Sequence, residues 1–478
     1  MSSAATGYRS RKDTPIGETT TLPSTRADRV EQGRALRSSV PRSAHADWAP
    51  RGDRDPIAIL EASNETRVPE LVPYRFGRMA ASPFALFRGS AAVMAADLAG
   101  TPDTGLRVQA CGDAHIGNFG EFRTPERLLV FDVNDFDETL PGAWEWDVKR
   151  LAASIDLVAR GRVRRPAARA AITALVIREY RERMGSFAEL TTLGRWHANI
   201  GVDDVLAHFP KAYRPRVERH LGRARRKTHA RAVTKLTEVI HGRRRFIENP
   251  PLLIRIERTE FDMDDARGVL DGYRQSLTDD RRYVLDRFEL VDVARKVVGV
   301  GSVGTRCWVA LFQGPEHPHT KGDWIVLQVK QAGASVLEPY MGASTLPHHG
   351  LRVVTGQRLT QTASDGFLGW SEGPTSGRAY YVRQLWDAKG SGDPTLMDPI
   401  GLGHYGALCA WALARAHART GDPVAIAAYL GAGTAFDEAV ARFAARYADQ
   451  AERDHADLLT AIADGRLAAE TDLRTRPG

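Results

Sequence analysis

Through residues 82–100, SPFALFRGSAAVMAADLAG, apolar side chains recur at helical spacing between an opening Ser and a closing Gly, which predicts a helix. A short strand, LRVQACGD, is expected next, then a loop, HIGNFGEF, and after the Thr124-Pro125 turn a buried strand, LLVFDV, that runs into the acidic cluster NDFDE. From Trp144 to about Ile247 the pattern is mainly helical. From about Phe288 to Arg383 short β-like runs prevail (ELVDVARKVV, TRCWVALF, DWIVLQVK, AYYVRQLW), separated by loops rich in Gly, Pro and His. From Tyr405 onward the chain is Ala-rich and helical again, and no repeat of solenoid period is evident.

Four segments are expected: an unstructured lead-in over 1–55, a helical unit carrying the Asp113 loop over 56–285, a β-rich unit over 286–390, and closing helices over 391–478. The lead-in is rich in Ser, Thr, Arg, Gly and Pro, so burial cannot offset the entropy of ordering it. With 43% hydrophobic residues in 478, the rest has ample material for cores. The formal charge of +7 and isoelectric point near 9.3 invite a nucleic-acid reading. Yet residues 211–245 hold thirteen Lys/Arg against two acids, a local +11 that leaves the remainder at −4. The basicity is local. Its arginine runs lack interleaved aromatics, so a solvated face or an acidic or phosphate-bearing ligand is expected before nucleic acid. Cys111, Cys307 and Cys409 form no CxxC pair, and no apolar run suits a secretory signal or a membrane span, so a cytoplasmic protein without disulfides, structural zinc or a membrane partner is expected.

Candidate chemistry gathers at Gly112-Asp113-Ala114-His115-Ile116-Gly117-Asn118 and at Asp132-Val133-Asn134-Asp135-Phe136-Asp137-Glu138. Each places acidic or amide side chains just past an apolar strand. Phosphoryl transfer needs a carboxylate to orient an acceptor hydroxyl, with an amide oxygen and a second carboxylate to hold Mg²⁺. Asp113, Asn118 and Asp135 supply that set, with Asp132 as an alternative metal ligand. The two stretches resemble the G-D-x-H-x-x-N loop and D-F-D element of aminoglycoside-phosphotransferase-like and choline-kinase-like enzymes, and WEWDVKRLAASI is similar to the helix that follows there, with Asp147 in the matching place. Read singly, Asp113 and Asp135 are ordinary turn residues; their order and spacing favour function.

Downstream, VVGVGSVGT places Gly299, Gly301 and Gly304 at G-x-G-x-x-G spacing. A strand rather than a helix follows, as in the kinase glycine-rich hairpin and unlike a dinucleotide fold. Lys330 ends the strand IVLQVKQA and Glu338 lies eight residues on, similar to the phosphate-holding lysine and its glutamate partner. AYYVRQLWDAKGS takes the place of a hinge strand. The resemblance implies an α+β, protein-kinase-like two-lobe fold that is circularly permuted, and an ATP- and Mg²⁺-dependent phosphotransferase acting on a small-molecule hydroxyl. The alternatives are a noncatalytic nucleotide-binding regulator and, on GDAH and GN, a metallophosphoesterase, for which further His ligands are missing. The motifs CGDAHIGNFGEF, VFDVNDFDET, VVGVGSVGTR and YYVRQLWDAKGS resemble a bacterial family, domain of unknown function 2252, which carries no established substrate.

His115 either touches phosphate or acceptor, or orients its own loop. Arg88 and Arg383 either reach phosphate or form structural ion pairs. His417, Cys111 and Trp308, Trp324, Trp370 and Trp386 read as packing residues.

Overall fold

The computed structural model describes residues 25–226, 229–256, 263–297, 299, 301–315, 322–385, 390 and 392–470. It is a mixed α+β structure. The chain opens with α1 (Arg26–Ser39), α2 (Pro56–Ala62), α3 (Val72–Met79), α4 (Pro83–Gly89) and α5 (Ala91–Leu98), then β1 (Arg107–Ala110), β2 (Phe119–Arg123), β3 (Leu129–Val133) and β4 (Leu140–Ala143). Helices follow: α6 (Trp144–Arg160), α7 (Pro166–Ala188), α8 (Thr192–His197), α9 (Val202–His208), α10 (Arg214–Arg226) and α11 (His229–Leu236). The β-rich part holds β5 (Thr237–Ile240), β6 (Arg243–Phe246), β7 (Leu253–Arg255), α12 (Met263–Ser276), α13 (Asp279–Leu285), β8 (Glu289–Lys296), β9 (Cys307–Gln313), β10 (Trp324–Gln331), α14 (Glu338–Met341), α15 (His349–Thr360), β11 (Gly369–Glu372) and β12 (Ala379–Gln384). α16 (Pro399–Thr420), α17 (Pro423–Leu430) and α18 (Ala435–Ala463) complete it.

Among the described residues the largest sheet has six strands in the order β11-β12-β10-β9-β8-β7, all pairs antiparallel. β9 and β10 read as almost continuous apolar runs because both faces of the sheet are covered. Trp308, Ala310 and Phe312 pack with Val269, Leu270 and Tyr273 of α12, while the alternate residues Val309 and Leu311 pack with Val233 and Leu236 of α11. On β10, Val326 shares the α11 side, and the same alternation carries Gln328 and Lys330 onto that face. The other large core joins α6, α7, α16 and α18 with β1 to β4.

Three expectations are corrected. Residues 26–46 are ordered: α1 docks on α17 and the 3₁₀ turn Arg42–Ala46 docks on α18. Leu36 packs on the main core and Ala46 is buried, but polar contacts add to this burial. Arg37 and Arg42 donate to the terminal carbonyls of α17, including Tyr429 O at 2.9 Å and Leu430 O at 2.8 Å, closing a helix end that would otherwise lack donors. The helix expected over 82–100 is broken at Ser90, where the Gly89 carbonyl turns outward to accept from Arg75 at 3.0 Å. The tail of the helical stretch, 237–246, is the hairpin β5–β6. Val298, Val300 and Trp386, placed in the glycine motif and the hinge, lie outside the described residues.

Lys149, on α6, is fully buried, its Nζ lies 5.1 Å from the centre of the Phe443 ring and it has no hydrogen-bond acceptor among the described residues. Burial pulls its pKa down from 10.5 to about 8. The ammonium therefore opposes folding below about pH 8. Between 8 and 10.5 the folded chain releases a proton that the unfolded chain keeps, so stability rises with pH. Lys149→Met is expected to stabilise the fold by about 1–3 kcal/mol at pH 6, with the gain shrinking above pH 8. Urea unfolding at several pH values checks this, and an equal or lower stability at pH 6 contradicts it.

Candidate functional site

The loop after β1 is fixed by one face of α6. Asp147 accepts from the Cys111 amide at 2.6 Å and the Gly112 amide at 2.9 Å, Arg150 Nε donates to Asp113 Oδ1 at 2.6 Å, and Ser154 Oγ accepts from the Ile116 amide at 2.9 Å. Behind Asp147, His417 Nε2 lies at 3.1 Å, and its Nδ1 contacts Tyr180 Oη at 2.8 Å. Gly112 has φ +78°, and a Cβ there would stand 2.5 Å from the Glu138 carbonyl, so the two predicted loops meet only because this residue is glycine.

The loops and the β-rich part enclose a cleft of about 360 Å³, lined among others by Asp113, His115, Asn118, Asp135, Gly299 and Gly301. Burial pushes the Asp113 carboxyl up to about 7 against the pull of Arg150. His115 Nδ1 accepts from the Gly117 amide at 3.0 Å, and burial, with Arg150 and Arg88 nearby, holds its pKa well below the usual value. It is a neutral ring that orients its own loop. Asn118 Nδ2 donates to the Asp113 carbonyl at 2.7 Å, which leaves its side-chain oxygen for the cleft. Cys111 is a buried thiol, raised in pKa by burial and by Asp147.

Lys330 crosses from β10 to the DFDE loop. Its Nζ pairs with Asp137 Oδ2 and donates to Ser302 Oγ at 2.7 Å, and Tyr381 Oη donates to Asp137 Oδ1 at 2.8 Å. Burial alone would raise the Asp137 carboxyl; Lys330 outweighs it, and the net shift is downward. Glu338 is not the lysine's partner among the described residues. It accepts from the Ser335 amide at 3.0 Å and stands 3.9 Å from Arg352 Nε. Asp132 is likewise removed from the cleft: it is fully buried and its carboxylate is taken by Arg415 at 2.6 Å and by the Thr362 amide at 3.0 Å. Arg383, with Nε 3.0 Å from Gln328 Oε1, faces the back of the DFDE loop, and its NH1 lies 3.4 Å from the Asn134 carbonyl.

The glycine loop is held from the other side of the cleft. Val68 N donates to Gly304 O at 2.8 Å, Arg67 NH1 to Val303 O at 2.5 Å, and Arg78 to Gly299 O. Arg67 and Arg88 line the cleft, and Arg88 Nε is buried with no partner among the described residues. Arg67, Arg150 and Asp137 were not singled out in the sequence. For Arg150 a signal existed, since it lies three residues after Asp147 and seven after comes Ser154, one face of a helix.

No cluster of three His, Cys, Asp or Glu among the described residues could hold a metal by itself. The oxygen donors Asn118 and Asp135 instead fit Mg²⁺, which is commonly bound by one or two carboxylates together with phosphate oxygens and water. No single described helix is long and apolar enough to cross a membrane.

Asp147→Ala would leave two buried amides and His417 without their acceptor. It is expected to lower stability by about 3–5 kcal/mol, whereas Asp147→Asn, which keeps an acceptor oxygen, should recover part of the loss. Chemical denaturation of both variants checks this; an Ala variant within about 0.5 kcal/mol of wild type would show that the loop does not lean on this carboxylate.

No curated protein and no solved structure matches the chain. A family model described as "uncharacterized protein conserved in bacteria" matches residues 67–461, a span that takes in the Asp113 and Asp135 loops, the glycine loop and Lys330. By that match the chain belongs to the DUF2252 family.

Proposed function

We propose that this protein is an ATP- and Mg²⁺-dependent phosphotransferase with a circularly permuted, protein-kinase-like two-lobe arrangement, acting on a small-molecule hydroxyl. The observation that carries the reading is the meeting, in one cleft, of three stretches far apart in sequence: the Asp113–Asn118 loop, the Asp135–Asp137 loop, and the glycine loop with Lys330. The β8 and β9 strands flank the glycines and β10 ends in the lysine, as a nucleotide-binding hairpin and clamp require. The permuted order follows from the helical elements that carry Asp113 preceding the sheet in the chain.

Bound Mg-ATP supplies the transferable phosphoryl group and the cation that screens its charge. Asn118 and Asp135 hold that cation through oxygen atoms. Lys330, Arg67 and Arg88 bring positive charge to the phosphate end, and the glycine backbone admits close approach of phosphate oxygens. Asp113 Oδ2 orients the acceptor hydroxyl and takes its proton as the new O–P bond forms and the bond to the leaving nucleotide diphosphate breaks. Arg150 fixes the carboxylate through Oδ1 and leaves the second oxygen for this work.

The same contact favours a second reading, a noncatalytic nucleotide binder, because a guanidinium on the carboxylate weakens it as a base. Calorimetry with Mg-ATP is expected to show saturable binding, weakened tenfold or more in Lys330→Ala and in Asp135→Asn. Asp113→Asn should keep the binding and lower turnover by about 10²–10⁴. Absence of Mg-ATP binding to wild type overturns both readings; binding without any turnover dependent on Asp113 selects the second.

A further inference from the structure

The opening turns of α7 and α16 pack together and border a shallow groove of about 650 Å³. Its floor is aliphatic, with Val163, Ile172 and Leu175 on the α7 side and Pro399 and Ile400 on the other. The fold leaves this floor open. Leu175 is 42% exposed and Ile400 58%, and Leu396, in the turn that leads into α16, is 63% exposed. Arg162 Nε donates to the Thr395 carbonyl at 3.0 Å, so that turn stands at the edge of the same groove. Single exposed aliphatic residues are ordinary, whereas three that adjoin one apolar surface mark a place that something covers.

The rim says what kind of surface that is. Arg162, Arg164 and Arg165 line the groove and are exposed, and none is ion-paired with a carboxylate among the described residues. Asp156, near the end of α6, is buried and taken by Arg160 at 2.8 Å and Arg169 at 3.7 Å. Arg216 of α10 adjoins through Asp398, which stands 3.7 Å from it and also accepts from Tyr213 Oη and the Gly401 amide, each at 2.8 Å. That carboxylate is thus spent in capping α16. α7 starts beside the arginines without a side-chain cap, and its positive end adds to theirs. The complementary surface is both apolar and negative. It also makes few directed bonds: apart from the arginines, His404 supplies the only polar side chain of the lining, and no Trp, Tyr or Phe stands there. A protein partner ordinarily brings about one hydrogen bond per 100–200 Å² and seats aromatic anchors in pockets. Lipid needs only apolar contact for its chains and cations at the level of its head groups.

We propose that this face docks on a bilayer that contains anionic lipid, with Leu396 and Ile400 reaching among the acyl chains and Arg162, Arg164, Arg165 and Arg216 held among the head-group phosphates. Arginine suits that task because its fork matches phosphate oxygens. The contact is peripheral. No single described helix is long and apolar enough to cross a membrane, and docking on its surface needs none. An arginine near an anionic surface contributes about fivefold in affinity, so a few of them with three aliphatic tips give reversible attachment. None of these residues lines the cleft, and the proposal stands whether or not the phosphotransferase reading holds.

The test is co-sedimentation of the full chain with sucrose-loaded vesicles, of phosphatidylcholine alone and of phosphatidylcholine mixed with phosphatidylglycerol. Binding to the mixed vesicles and not to the neutral ones is expected, and added KCl should release it. Arg164→Glu combined with Arg165→Glu should weaken binding by about tenfold or more, and Leu396→Ser combined with Ile400→Ser by about threefold or more. All four positions are exposed, so both variants should melt as the wild type does, which separates lost docking from lost fold. Arg243→Glu, exposed on β6 and outside the groove, should leave binding unchanged. Absence of binding to the mixed vesicles, equal binding to neutral ones, or a loss in Arg243→Glu as large as in the arginine pair overturns the proposal. Self-association in sedimentation velocity that the Leu396 and Ile400 variant abolishes, without vesicle binding, overturns it too and assigns the groove to a second copy of the chain.

Discussion

Asp147, Arg150 and Ser154 lie three and four residues apart on one face of α6, and through them a helix that is buried almost from end to end holds a loop it does not belong to. A buried carboxylate is expensive unless every oxygen is bonded. Asp147 meets that condition with two backbone amides and His417, and His417 in turn rests on Tyr180 of α7. Arg150 extends the same staple outward. It donates to the Phe87 carbonyl at 2.9 Å and lies over the Phe87 ring at 4.4 Å, so α4 and the Asp113 loop are registered against a single guanidinium. Loosening this face would release Asp113, His115 and the edge of the cleft together.

A second set of contacts ties the sheet to that loop. Arg352 of α15 donates to Thr139 O at 2.6 Å and to Asp137 O and Gly333 O at 2.8 Å. With Lys330 and Tyr381 on the Asp137 carboxylate, two cations and a phenol from three elements converge on the loop 135–139. Asp132 and Arg415 do the equivalent on the far side, joining β3 to α16 with no solvent in reach. Adjacent acidic residues thus divide their labour by strand geometry: Asp132, inside β3, faces the helical core, while Asp135 and Asp137, past its end, face the cleft.

Local pattern was enough to read the strands β8, β9, β10 and β12, because their short apolar or β-branched runs are separated by Gly- and Pro-rich loops. It was enough as well for the Asp113 and Asp135 loops, whose side chains are fixed close to where the sequence puts them. What escaped depends on partners distant in the chain. Glu338 looked like the match for Lys330 by proximity of eight residues, but an intervening turn spends its carboxylate on Ser335, and Asp137, nearly two hundred residues earlier, arrives instead. The ordering of 26–46 rests on α17 and α18, some four hundred residues on, through packing and through the carbonyls at the end of α17, which no composition rule could supply. The break at Ser90 falls where Gly89 ends α4, and Arg75 takes the carbonyl freed there.

The excess of positive charge can now be given a physical form. On α10, Arg216, Arg219, Arg223 and Arg226 recur every three or four residues and are exposed, so like charges stand over one another along one stripe. Each such neighbour disfavours the helix by a few tenths of a kcal/mol. The opposite face supplies the compensation: Leu221 is buried against the helical core, Ala224 packs beside Gly390, and His220 meets Glu121 at 3.0 Å. A helix whose own electrostatics oppose it is therefore kept by its apolar seam. That seam anchors on β2, where Arg123 NH2 donates to the Arg225 carbonyl at 3.5 Å.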